Sequence, residues 1–126
     1  MYEVTVEQHF SAAHLLRGYP GKCANLHGHN YKVQVTIEGE TLDSLGMLIE
    51  FEIIKRALAP WIDRFDHGYL NDIPPFDALN PTAENLAKFF FDEVEKAIRQ
   101  PEGTAGARVA CVRILETDKC SAAYRR

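Results

Sequence analysis

The chain has 126 residues, 46% of them hydrophobic and 25% charged, with a formal net charge of −4 at neutral pH. This length predicts one domain over residues 1–126, able to bury roughly two thirds of its unfolded surface without help from disulfides. The acidic balance argues against broad nucleic-acid binding, which needs an extended basic surface, but leaves room for a small anionic substrate held by a few local cations.

The first thirteen residues carry neither a basic start nor an apolar core of a signal peptide, and no apolar stretch approaches roughly 18 residues. The expectation is a cytoplasmic protein. Cys23, Cys111 and Cys120 make an odd count, which reads as reduced thiols, one of them available for chemistry.

Tyr2–Val6 alternates apolar and polar residues, as a half-buried strand does. Tyr31, Val33, Val35 and Ile37 repeat that period of two, with Lys32, Gln34, Thr36 and Glu38 on the other face. Gly39–Gly46 supplies turn chemistry, and Met47–Phe51 is expected to return as a third strand. The period then changes, because Phe51, Ile54, Leu58, Trp61 and Phe65 step by 3, 4, 3 and 4. That is one face of an amphipathic helix, which Pro60 should kink or divide.

A second helix is expected from Thr82, whose hydroxyl can cap orphan N–H groups while Glu84 complements the first turn. Leu86, Phe89, Phe90, Val94, Ala97 and Ile98 form its apolar stripe, with Asp92–Lys96 and Glu95–Arg99 as ion pairs outside. Pro101, Gly103 and Gly106 end it. Arg108–Glu116 is rich in β-formers, and Ser121–Tyr124 completes a closing strand. The order ββ(β)ααββ suits an α+β fold: an antiparallel sheet with two helices on one face. The long strand edges of so small a sheet invite subunit association.

The chemistry concentrates around His27-Gly28-His29. On a strand, residues two apart project from the same face, so both imidazoles point together. A return from the first strand brings His14 alongside. Three neutral imidazoles with a free fourth position make a catalytic zinc site, whereas closed structural sites use four ligands, usually with thiolates. Any one of these histidines alone reads as a core or surface residue; the HxH pair with a third favours the metal. His9 is a rival ligand, but it is read as alternating into the apolar strand pattern and so as structural.

Cys23 lies four residues before His27, beside Lys22, and is a candidate base or nucleophile. Cys120 is its competitor in a polar setting, and Cys111 reads as a buried small hydrophobe. Asp66-His67 after the first helix can orient an imidazole for proton transfer, or can simply be helix-terminal surface charge. Glu116 ends an apolar strand run, facing either a mouth or solvent.

Together these segments resemble the family of 6-pyruvoyltetrahydropterin synthases and 6-carboxytetrahydropterin synthases. The resemblance rests on Phe10-Ser-Ala-Ala-His14, Cys23-Ala-Asn-Leu-His-Gly-His-Asn-Tyr31, Gly46–Phe51, Asp66-His67, Leu70-Asn71-Asp72, Asn80-Pro-Thr-Ala-Glu-Asn-Leu86, Glu116-Thr117 and Tyr124, in family order. It implies a tunnelling fold, in which strands of three subunits close a barrel and two trimers stack as a homohexamer with active sites at subunit interfaces. It implies one Zn2+ per subunit on His14, His27 and His29, proton transfer by Cys23, Asp66 and His67, and Glu116 anchoring the pterin ring edge.

The implied substrate is 7,8-dihydroneopterin triphosphate. The short Cys23-x3-His27 spacing resembles the carboxy-forming enzymes of queuosine biosynthesis, carbon–carbon lyases that yield 6-carboxytetrahydropterin, acetaldehyde and triphosphate. A pyruvoyl-forming synthase, an aldolase-like pterin enzyme and a non-catalytic zinc or pterin binding module are the alternatives. Lys22, Lys32, Arg64 and Lys119 all remain candidates for the triphosphate.

Overall fold

A computed structural model of the chain describes residues 1–99 and 106–126. Strands β1 (Tyr2–His14) and β2 (His27–Gly39) form a long antiparallel hairpin, with Tyr2 opposite Gly39 and His14 opposite His27. The period of two read from the sequence sets its faces. Val6, Phe10 and Ala12 are buried together with Tyr31, Val33, Val35 and Ile37, while Glu3, Thr5, Glu7 and His9 lie on the solvent side. A slip of one residue would exchange the two faces, so burial fixes the register.

Strand β4 (Arg108–Leu115) pairs antiparallel with β2, with an irregularity between Thr36 and Ile37, and β5 (Ser121–Arg125) pairs antiparallel with β4. Met47–Phe51 is not a strand. Met47 accepts the Asp43 N–H through its carbonyl at 2.8 Å, and the Asp43 carboxylate accepts the N–H groups of Leu45 and Met47. The segment is thereby curled onto its own turn, with Gly46 in the left-handed region (φ 81°), and Leu48 and Ile49 are buried as loop residues. The remaining strand is instead β3 (Gly68–Tyr69), parallel to Ala12 and Ala13 of β1. The sheet, ordered β3-β1-β2-β4-β5, is therefore mixed rather than wholly antiparallel.

Helix α1 (Phe51–Phe65) runs unbroken through Pro60. Pro60 and Arg56 are both exposed, so the Arg56 carbonyl deprived of its usual donor faces solvent, where water can satisfy it. Ile54, Leu58 and Phe65 are buried as the spacing predicts, but Phe51, the first helical residue, is 57% exposed.

Helix α2 (Ala83–Ile98) is capped by the Thr82 hydroxyl, which accepts the Asn85 N–H at 3.1 Å. Its buried face includes Phe91 as well as Leu86, Phe90, Val94 and Ile98, while Phe89 and Ala97 are half-buried. Glu95 pairs with Arg99 as expected. Asp92 does not pair with Lys96; it takes Lys88 at 2.7 Å and the nearby Arg126, and Lys96 turns to Glu93. Of the expected helix stops, Pro101 and Gly103 lie outside the described residues, and Gly106 has φ 82° just before β4.

Both helices cover the apolar face of the sheet in one continuous core. Phe10 stacks on Tyr31 at 4.8 Å between ring centroids and meets Phe65 and Phe90 at tilted angles. This aromatic block sits directly beneath the His14 end of the hairpin. Among the described residues no helix is long and apolar enough to cross a membrane.

Candidate metal centre and active site

His14, His27 and His29 occupy the helix-facing side of the β1–β2 hairpin at the end where its connection emerges. Their ring centroids lie 4.5 to 5.1 Å apart. One nitrogen of each lies within 4.8 Å of the others, and among the described residues no other group of three such side chains is assembled. His9 is not among them. It points from the opposite, solvent side of β1 and bonds Glu7 at 2.9 Å, because an odd position on β1 shares no face with His14. The expectation that it joins the apolar pattern is thereby corrected.

Two backbone carbonyls fix the imidazoles. Pro81 O lies 2.7 Å from His14 Nδ1, and Asn25 O lies 2.7 Å from His27 Nδ1. A carbonyl can only accept, so both Nδ1 atoms carry the proton and, in the neutral rings, both Nε2 atoms present lone pairs. Those two Nε2 atoms stand 3.0 Å apart. Facing lone pairs at that separation suit a shared cation between them. His29 Nε2 is buried without a hydrogen-bond partner, a cost that a metal–nitrogen bond would remove.

Burial holds His14, 1% exposed, down to about 4. Burial also lowers His29, against the opposing pull of the Glu116 charge. Neutral imidazole is the ligand form, so the residues present fit a divalent metal with N-ligand preference.

Glu116 follows β4 and brings Oε2 to 3.7 Å from His29 Nε2. It faces the histidines rather than open solvent because it continues the alternation of Val112 and Ile114 on the core side of β4. Tyr31, two residues after His29, is wholly buried with its hydroxyl unpartnered, and burial followed by the Glu116 charge pushes that phenol well up. The sequence reading missed Tyr31 as a neighbour of the site, although His27-x-His29-x-Tyr31 on one strand face was the signal.

Cys23 sits in a single turn of 3-10 helix (Lys22–Ala24) on the connection leaving His14 and returning at His27. It is exposed, as is Cys120, while Cys111 is half-buried on the sheet rather than in the core. Cys23 O accepts the Leu16 N–H at 2.8 Å.

Asp66 and His67 are not brought to the three imidazoles within one chain. Asp66 Oδ1 accepts the Ser11 N–H at 2.8 Å, and the His67 N–H donates to Ser11 O, tying both to the outer edge of β1. The His67 ring is 86% exposed and lines a hollow with Ser11, Ala13, Gly28, His29 and Asn30. Ser11, Ala13 and Asn30 alternate away from the histidine face, and no hydrogen bond or ion pair among the described residues joins His67 to the three imidazoles. His67 nonetheless has the form of an oriented imidazole. Its Nδ1 lies 2.9 Å from Asp66 Oδ2, and its backbone sits in the left-handed region at φ 57°, uncommon outside glycine and frequent at functional positions. The Ser11 N–H, then His67, hold the Asp66 carboxyl below its usual range.

A mixed α+β sheet with two helices on one face and three converging imidazoles at the hairpin end defines a tunnelling-fold protein with a metal-competent histidine site. The model of the family described as 6-pyruvoyl tetrahydropterin synthase matches residues 3–126, and the chain belongs to that family. It is similar to the 6-carboxy-5,6,7,8-tetrahydropterin synthase of Haemophilus influenzae, 42% identical over 117 aligned positions covering 75% of this chain and 83% of the relative. The Bacillus subtilis protein of the same name is 32% identical over 124 positions, 94% of this chain and 83% of that one. Among solved structures, the Caenorhabditis elegans 6-pyruvoyl tetrahydropterin synthase superposes with a TM-score of 0.81 at 30% identity, over 100% of this chain and 97% of the other.

Proposed function

We propose that the chain, as a single domain of residues 1–126, is a zinc-dependent 6-carboxy-5,6,7,8-tetrahydropterin synthase of the cytoplasm. It would convert 7,8-dihydroneopterin triphosphate to 6-carboxytetrahydropterin, acetaldehyde and triphosphate, in queuosine biosynthesis. The observation that carries this reading is the convergence of three imidazole nitrogens, two with their tautomers fixed by backbone carbonyls. His14, His27 and His29 would hold the metal and leave a fourth position open. Bound there, zinc supplies Lewis-acid polarisation of substrate oxygens.

The chain's own residues have separate tasks. Glu116, beside His29, accepts two N–H groups from the pterin ring edge, a charge-assisted bidentate contact. Cys23 takes a proton as thiolate from the substrate side chain. His67 donates Nδ1–H to Asp66, which leaves Nε2 as the atom that exchanges protons. Because His67 is tied to the outer edge of β1 rather than to the imidazoles of its own chain, the pair would serve the site of a neighbouring subunit. The outer edge of β1 is paired by β3 only at Ala12 and Ala13 and is closed at Ser11 by Asp66 and His67, and the length before Ser11 supports strand-edge association into a homohexamer of two trimers.

Two features favour the carboxy product: the short Cys23-x3-His27 link and the names carried by the Haemophilus and Bacillus relatives. The Caenorhabditis structure carries the pyruvoyl name and makes pyruvoyl formation the second reading. Incubation of zinc-loaded protein with 7,8-dihydroneopterin triphosphate, followed by mass spectrometry of the pterin and trapping of aldehyde, separates them. Equal amounts of 6-carboxytetrahydropterin and acetaldehyde are expected. Accumulation of 6-pyruvoyltetrahydropterin without aldehyde would assign the second reading.

A further inference from the structure

Two asparagine side chains do the work of a missing strand beside the Cys23 connection. Asn71 Oδ1 accepts the Leu15 N–H and Asn71 Nδ2 donates to Leu15 O, both at 3.0 Å. Two residues on, Asn80 Oδ1 accepts the Arg17 N–H and Asn80 Nδ2 donates to Arg17 O, both at 2.9 Å. A carboxamide offers one acceptor and one donor side by side, as a peptide unit does. Leu15 and Arg17, alternate residues just past the end of β1, each present both backbone groups to one of these two amides. Leu16 faces the other way, and its N–H is the one that holds Cys23 O.

The anchors are themselves anchored. Asn71 is only 6% exposed. The Asn80 carbonyl accepts both the Asn85 side-chain N–H and the Thr82 N–H at 2.9 Å, locking it to the first turn of α2. Arg17 adds its guanidinium to the carbonyls of Asn71 and Phe76. The Leu16 N–H ties the Cys23 carbonyl directly to this segment, so the placement of the thiol depends on how firmly residues 15–17 are held.

We propose that Asn71 and Asn80 are positioning residues whose paired carboxamides clamp Leu15 and Arg17 and, through the Leu16 N–H, set the place of Cys23 on the connection between His14 and His27. The catalytic consequence rests on the function proposed above; the clamp itself does not. Proton transfer needs heavy atoms about 3 Å apart, and small displacements cost rate steeply. The clamp therefore acts on kcat more than on KM.

The test uses zinc-loaded full-length protein carrying Asn80→Ala, Asn80→Asp or Asn71→Asp. In Asn80→Ala the Leu16 and Arg17 amides should exchange with deuterium at least about tenfold faster. Asn80→Asp, which keeps the acceptor, should retain protection at Arg17. Zinc content should match the parent. With 7,8-dihydroneopterin triphosphate, kcat should fall about tenfold or more at unchanged KM, and Asn80→Ala should add no further loss to Cys23→Ala. Parent-like exchange at Leu16 and Arg17, or an additive loss in the double variant, would overturn the proposal. So would zinc loss in Asn80→Ala, since Asn80 would then act on His14 through Pro81. Should the parent fail to turn over this substrate, the proposed function falls while the exchange rates still decide the clamp.

Discussion

His14 and His27 hold their Nδ1 protons against Pro81 O and Asn25 O, so removing either HxH imidazole leaves two nitrogens and no third donor at the same point. Three imidazoles hold zinc well and two hold it poorly. The parent should carry about one zinc per chain, and His27→Ala or His29→Ala should lose it on dialysis; metal analysis after gel filtration measures both. Full zinc in either variant would remove the site. Cys23 is outside this ligand set, so Cys23→Ala should keep its metal and fold while losing turnover by at least ~10²-fold, the usual worth of a positioned acid or base. The matched control is Cys120→Ala, also an exposed thiol; if that variant is the inactive one, the thiol has been chosen wrongly.

At the scale of elements, the hairpin and the first turn of α2 build the site jointly. The hairpin register sets His14 opposite His27, and the turn entering α2 supplies Pro81 O, Asn80 and the Thr82 cap within a few residues. Loss of an N-cap hydroxyl costs about 1 kcal/mol. Thr82→Ala should therefore melt about 3–5 °C lower than the parent in the metal-free state, read by circular dichroism. Because the same turn orients His14, zinc should also dissociate faster from this variant in the presence of a chelator. An unchanged melting temperature would show that the cap contributes nothing measurable.

At the scale of the whole molecule, the separation of His67 from the imidazoles is the main consequence of the fold. If His67 of one subunit serves a neighbour's metal site, inactive His27→Ala and inactive His67→Ala chains unfolded and refolded together should regain turnover that neither has alone. Co-assembly is checked by mass photometry or light scattering of the mixture. Mixed oligomers that stay inactive would mean that each chain must hold both elements of its own site.

Much of this was legible in the residues. Alternation at Tyr31–Ile37 and the 3–4 spacing through Ile54, Leu58 and Phe65 depend only on the periods of strand and helix, so burial follows from them directly. The HxH spacing fixed two imidazoles on one face for the same reason, and Thr82 declared the start of α2. Other features depended on competition that spacing does not encode. Met47–Phe51 has strand composition, but the Asp43 carboxylate takes the Met47 amide first. Pro60 leaves α1 whole because its missing hydrogen bond falls on the wet side. His9 and His14 differ by an odd number of positions, which decided their faces once the register was known. What local sequence determined was each segment's periodicity and the chemistry it carries. What only the tertiary structure decided was that Pro81 O orients His14, which asparagine stands in for a strand, and that Asp66-His67 is tied to the outer edge of β1 at Ser11, because those outcomes are set by contacts between segments dozens of residues apart.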